Sequence, residues 1–309
     1  MKMPKMFHSF CLLLAAFVWG MTFVAQSIGA EHVEAFTFLA ARSWIGVLCL
    51  LPACAVQKRR HAPQSAAEAR AGRRTLLCAG LLCGFFLFAA SAAQQIGIAG
   101  TTPAKSGFIT SMYIILVPLL TLFMGRRVPF SLWLCVALAC AGIYFLCIPA
   151  HGGGLLASFS RGDALTLLCA LLFSCQIIGI DHYARQTDPV LLSAAQFLAT
   201  AVFSTICMIF MEAPALPALR AAMPAILFAG VLSSGLGYTL QVIGQAGTSP
   251  AVASLLMSLE SVFSALGGWL VLGQVFTGRE FLGAALMFAA VILAQLPQKS
   301  ASSHQRQKK

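Results

Sequence analysis

"QQIGIAGTTPA", residues 94–104, returns as "QVIGQAGTSPA", residues 241–251, 147 positions further along a chain of 309 residues. Eight of the eleven positions agree, Gln94/Gln241, Gly100/Gly247 and Pro103/Pro250 among them, so chance is a poor account of the match. The offset is far longer than the period of roughly 20–50 residues that marks solenoids and propellers, and it points to a duplicated half-protein. What each half contains then decides the fold.

With 59% hydrophobic and 9% charged residues and a mean hydropathy of +0.87, the chain has too few charges to coat a soluble globule of its size. A bilayer core about 30 Å thick needs roughly 20 apolar helical residues. Ten such stretches are expected, at 9–29, 35–56, 76–98, 103–124, 130–149, 162–180, 189–211, 223–244, 249–271 and 280–296. Five fall in each half. Five crossings end on the side opposite their start, so the second half enters the membrane upside down. The expected fold is an all-α integral membrane protein of ten transmembrane helices, arranged as two inverted five-helix repeats at 1–150 and 160–298, with a basic cytoplasmic tail at 299–309.

Lys and Arg are retained on the cytoplasmic side of a membrane protein. With the N-terminus inside, fifteen of the twenty fall on that side, so both termini are expected to be cytoplasmic. This distribution also accounts for the net charge of +11 without nucleic acid as a partner. The loop "QKRRHAPQSAAEARAGRR", residues 57–74, is placed to meet anionic membrane lipid. The first apolar run follows Lys2 and Lys5 like a signal peptide, yet its length and the nine runs behind it mark it as a retained helix.

Eleven cysteines fall within the apolar stretches and form no CxxC pair, so they read as small packing residues. The six histidines show no HExxH spacing, and neither a Walker loop nor a GxSxG elbow occurs. No metal, cofactor or catalytic residue is expected, and the chain does not read as an enzyme. In the repeated phrase, Gly100 and Gly247 suit a tight turn with positive φ, Thr or Ser suits a cap on the next helix, and Pro103 and Pro250 suit its first turn. A second echo runs at an offset of 154, "AAFVWG" (15–20) with "CALLFS" (169–174) and "LAARSW" (39–44) with "SAAQFL" (193–198), which sets Arg42 opposite Gln196.

On three stretches the chain resembles the EamA family of the drug/metabolite transporter superfamily: "VWGMTFVAQSIGAEHVEAFTFLAARSW" (18–44), "KSGFITSMYIILVPLL" (105–120) and "ASLLMSLESVFSALGGWLVLGQ" (253–274). Two motifs depart from that family's pattern. Its usual LEP reads Leu259-Glu260-Ser261 here, and its LGE reads Leu272-Gly273-Gln274. The resemblance implies ten helices, cytoplasmic termini and transport of small metabolites or drug-like solutes, often outward across the bacterial inner membrane.

A charge near the centre of a span costs on the order of 2.5–3.5 kcal/mol, so polar residues at lipid depth are the candidates for a substrate or coupling site. Glu260 is the sharpest, because protonation removes that cost; it reads either as a proton-coupling or cation-binding group or as a structural carboxylate. Arg42 reads as a partner of Glu260, as a contact for a substrate carboxylate, or as an Arg that ties helices together. Lys105 snorkels or contacts substrate. The remaining candidates are Trp19, Thr22, Gln26, Gln94, Gln95, Gln176, Gln196, Tyr238, Gln241, Ser258 and the stripe Ser106, Thr110, Tyr113. The expected activity is secondary transport of a small molecule by alternating access. A membrane sensor would bring a soluble signalling domain, and an intramembrane enzyme would bring converging catalytic groups.

Overall fold

A computed structural model of the protein describes residues 5–60, 65–100, 103–147, 160–273 and 277–296, and every regular element among them is helical. The basic tail at 299–309 lies outside the described residues. The first half contains α1 (Lys5–Ala30), α2 (Ala35–Arg60), α3 (Ala66–Ile98), α4 (Pro103–Thr110), α5 (Tyr113–Phe123) and α6 (Phe130–Cys147). The second contains α7 (Arg161–Tyr183), α8 (Pro189–Met211), α9 (Leu216–Phe228), a π-helical segment (Ala229–Gly237), α10 (Tyr238–Gln245), α11 (Pro250–Met257), α12 (Glu260–Leu272) and α13 (Gly278–Gln295).

Among the described residues nine helical stretches are long and apolar enough to cross a bilayer, and Phe130–Phe145 is a shorter apolar tenth. Large side chains such as Phe10, Leu81, Leu134, Leu198 and Ile292 point outward, while Leu12, Ile114, Phe197 and Leu255 are buried. An exterior this apolar is a lipid-facing surface. All ten expected stretches are helical in the main over their described residues, and two of them start seven or more residues early. α3 begins at Ala66 rather than 76, because Ser65 caps it by accepting from the Glu68 N–H, so part of the basic loop at 57–74 is helical. The eighth stretch begins at Leu216 rather than 223, with a proline in its first turn.

The two copies of the repeated phrase turn on opposite faces of the bundle. Gln26, near the end of α1, bonds Gln94 and Gln95 near the end of α3, whereas His8, near the start of α1, bonds Ile243 O near the end of α10. Along α1 those two positions are about 27 Å apart at 1.5 Å per residue. The side carrying residues 31–34 and 99–100 is the first face, and the side carrying 184–188 and 246–249 is the second.

The glycines of this phrase serve a purpose other than the expected one. Among the described residues positive φ occurs only at Gly125 and Gly273, not at Gly100 or Gly247. Gly247 is there for space: a Cβ would lie 2.2 Å from the His8 ring. Ser249 does stand at the N-cap of α11, before Pro250, but its hydroxyl makes no capping bond. The counterpart residues Thr101 and Thr102 lie outside the described residues.

The fourth and ninth spans, expected as continuous helices, are each broken once. α4 stops at Thr110 and α5 restarts at Tyr113; α11 stops at Met257 and α12 restarts at Glu260. The backbone is nearly identical at both breaks, with φ −61°, ψ −13° at Met112 and φ −60°, ψ −11° at Leu259, a ψ shallower than in an α-helix. Hydrogen bonds shorten there to i→i−3, from Met112 N–H to Ile109 O and from Leu259 N–H to Leu256 O. The breaks also touch: the Ser111 and Ser261 hydroxyls share a hydrogen bond, and Ser261 reaches Gly107 O at 3.3 Å. Two interrupted helices therefore cross at the centre of the bundle.

Candidate functional site

Because the breaks lie at equivalent places, they deliver Tyr113 and Glu260 as the first residues of α5 and α12, 147 positions apart in the chain. Glu260 is ten residues beyond Pro250, about 15 Å along the span and half the depth of the hydrocarbon core. Both residues line one central cavity of about 30 Å³, room for about two water molecules.

The cavity is built from corresponding residues of the two halves. At the 147 offset Gln94 faces it with Gln241, Thr110 with Met257 and Tyr113 with Glu260; at the 154 offset Trp19 does so with Phe173, Thr22 with Gln176 and Phe23 with Ile177. Gln26, Arg42, Ser233 and Tyr238 complete the wall. Only Gln94 and Gln241 are the same residue in both halves, and the two charged members have neutral counterparts. Glu260 corresponds to Tyr113, and Arg42 corresponds to Gln196.

Both charged side chains are almost fully buried, Glu260 at 4% exposure and Arg42 at 2%. The expected Arg42–Glu260 pair is not formed: among the described residues no ion pair joins them, and Arg42 Nε and Glu260 Oε1 have no hydrogen-bond partner. Their electrostatic neighbours are aromatic instead, Tyr238 for Arg42 and Tyr113 for Glu260. Tyr113 and Glu260 approach each other, yet neither Tyr113 Oη nor Glu260 Oε1 completes a bond of full hydrogen-bond geometry. Trp19 packs on Tyr238 with ring centroids 4.7 Å apart, and its Nε1 is also without a partner among the described residues. Buried polar atoms with unused bonding capacity are the groups a solute can satisfy.

Layers of glutamine side chains bound the cavity towards each face. On the first-face side Gln26 Nε2 donates to Gln94 Oε1 and Gln95 Oε1, both at 3.1 Å, and Gln94 Nε2 donates to Thr110 Oγ1 at 3.2 Å. On the second-face side Gln176 Nε2 donates to Gln196 Oε1 at 3.2 Å, and Gln241 Nε2 to Gln176 Oε1 at 3.2 Å. Gln196 thus supports the wall rather than lining it. Ser106 is buried nearby, and Ser258 returns its hydroxyl to Leu255 O within the break; neither lines the cavity. Lys105 lies in α4, but its side chain is outside the described residues.

Sequence reasoning missed Phe23, Phe173, Ile177, Ser233 and Met257. Carrying the candidate Trp19 across the 154 offset and the candidate Thr110 across the 147 offset reaches Phe173 and Met257, so the internal repeat held the signal for two of the five. Ser233 is presented by the π-helical segment, whose Gly230 and Gly237 lie against Ile45 and the Trp19 indole.

A larger recess of about 540 Å³ opens on the first face, lined among others by Glu31, His32, Glu34, Gln95 and Glu212. Glu212, from the end of α8, caps the start of α2 by accepting from Phe36 N–H (2.8 Å), Thr37 N–H (2.6 Å) and the Thr37 hydroxyl (2.7 Å). Among the described residues no three His, Cys, Asp or Glu side chains gather as metal ligands.

The architecture and this site can be set beside known proteins. The chain is 28% identical over 293 residues to an uncharacterized transporter of Archaeoglobus fulgidus, covering 94% of this chain and 87% of that one. It is 26% identical to the uncharacterized transporter YwfM of Bacillus subtilis, covering 94% and 95%. A crystal structure of a protein 20% identical in sequence shares the fold with a TM-score of 0.74, over 94% of this chain and 96% of that one. The description of the EamA-like transporter family matches twice, at residues 6–148 and 160–296. A multi-pass helical membrane protein that carries this match in both halves, the chain belongs to the EamA-like transporter family.

Proposed function

We propose that the protein is a secondary transporter, carrying a small organic metabolite or drug-like solute outward across the bacterial inner membrane by alternating access between its two halves. The observation that carries this reading is the central cavity, twelve of whose sixteen lining residues fall into pairs at equivalent positions of the two halves. A chain made of two near-equivalent units has two near-equivalent packings, one open to each side, with the site fixed between them. The lining combines a carboxyl group, a guanidinium, amides and aromatic faces, which suits a polar organic solute. The excess of Lys and Arg towards the second face supports cytoplasmic termini and an outer first face. With no nucleotide-binding motif in the chain, uphill movement draws on an ion gradient or on exchange.

In this reading Glu260 carries the coupling proton. An ionised carboxylate at mid-depth needs a counter-charge and a neutral one does not, so loading and release of a proton change the cavity's demand for a cationic partner. The test is uptake of a pooled metabolite mixture into proteoliposomes, with and without an imposed proton gradient. The native chain is expected to accumulate solute with the gradient, and Glu260→Gln to lose that dependence. Equal gradient-driven uptake by the variant removes Glu260 from coupling; absence of any protein-dependent flux in folded protein defeats the transport reading.

A further inference from the structure

Among the described residues, a layer of side-chain amides joins the wall of the first-face recess to the wall of the central cavity. Gln95 forms part of the recess wall, while Gln26 and Gln94 line the cavity. The three are held together by Gln26 Nε2 to Gln94 Oε1 and to Gln95 Oε1, and by Gln95 Nε2 to Gln26 O at 3.2 Å. We propose that Gln26, Gln94 and Gln95 are the gate between the recess and the central cavity, an inference that rests on the transport reading above.

The chemistry of the layer suits a gate. Each contact is a neutral amide hydrogen bond, whose net worth is small because a water or a solute polar group replaces it at little cost. All three residues are almost fully buried, so the layer blocks passage when closed. The second-face side is built more heavily. There the Gln176–Gln196–Gln241 layer is followed by Gln245 donating to Ile177 O at 3.0 Å and by Asp181, buried, paired with Arg126 and Arg185. Opening that side requires breaking charge-assisted contacts as well as amide ones. Among the described residues the first-face gate is therefore the thinner barrier in this conformation.

A thiol on the cavity wall reports on it: Thr22→Cys places one on α1 four residues before Gln26, about 6 Å further from the first face and so behind the gate. The experiment labels this thiol in vesicles with a membrane-impermeant cationic methanethiosulfonate applied to the face bearing Glu31 and Glu34, read residue by residue by mass spectrometry. With Thr22→Cys in place, Gln26→Ala and Gln95→Ala are expected to raise the labelling rate at that thiol by about tenfold, while Gln245→Ala, on the second-face side and outside the cavity wall, leaves it unchanged. Gln26→Leu repeats the measurement with a side chain of similar size, should alanine unfold the bundle. Unchanged labelling in the gate variants, or an equal rise in Gln245→Ala, overturns the proposal. Faster labelling without flux of any pooled solute leaves the gate standing and defeats the transport reading; flux with unchanged labelling defeats the gate alone.

Discussion

Trp19 and Gly20 are neighbours in sequence with separate tasks at one contact. The indole lines the cavity, and the glycine lets α1 cross α12 closely: a Cβ on Gly20 would lie 2.4 Å from Phe263 Cβ and 2.8 Å from Glu260 O. A backbone carbonyl cannot swing aside as a side chain can, so Gly20→Ala must push α12, and Glu260 with it, away from the cavity. Overpacking of this kind costs about 1–3 kcal/mol. Gly20→Ala is therefore expected to lower the thermal unfolding midpoint in detergent and to weaken uptake together; an unchanged midpoint rejects the contact. Glu260, Arg42, Trp19 and Tyr238 were legible in the sequence because a polar or aromatic group stands out in an apolar helix. Phe23 and Ile177 were not, since an apolar residue inside an apolar helix gives no contrast between cavity, packing and lipid; Phe173 and Met257 were within reach only through the repeat, as mates of Trp19 and Thr110.

At the scale of helices, length and hydropathy located the spans, and local caps such as Ser65 on α3 and the Ser160–Asp163 capping box on α7 are readable from neighbouring residues. The cap on α2 is not readable in that way, because it comes from Glu212, 176 residues from Phe36. Its carboxylate meets two backbone N–H groups and the positive end of the helix dipole, so Glu212→Ala is expected to cost about 0.5–2 kcal/mol, measured as a lowered unfolding midpoint, with Glu212→Gln retaining part of the loss. No change in the alanine variant shows that water serves those groups equally well. The two breaks were also hidden. "ITSMYI" and "LMSLES" hold neither proline nor glycine; serines bond at the breaks instead, Ser111 with Ser261 across the helices and Ser258 back to Leu255 O within its own.

For the molecule as a whole, the repeated phrase at 94–104 and 241–251 announced two halves, and the cavity shows how far their equivalence extends. The equivalence of Tyr113 and Glu260 supports an exchange. A carboxyl group moved to the other half enters the same cavity from the corresponding helix break. The double variant Tyr113→Glu, Glu260→Tyr is expected to regain measurable gradient-driven uptake that Glu260→Tyr alone lacks. A double variant as inactive as the single one limits the role of the carboxylate to its own half. The exchange has no counterpart for Arg42, whose partner position Gln196 stands behind the wall, bonded to Gln176.

The smallness of the central cavity has an electrical meaning. A cavity of about 30 Å³ takes about two waters, too few to hydrate a bare ion as bulk water would. On the transport reading proposed above, that dryness would let many copies sit in one membrane without short-circuiting the gradient that other machines depend on.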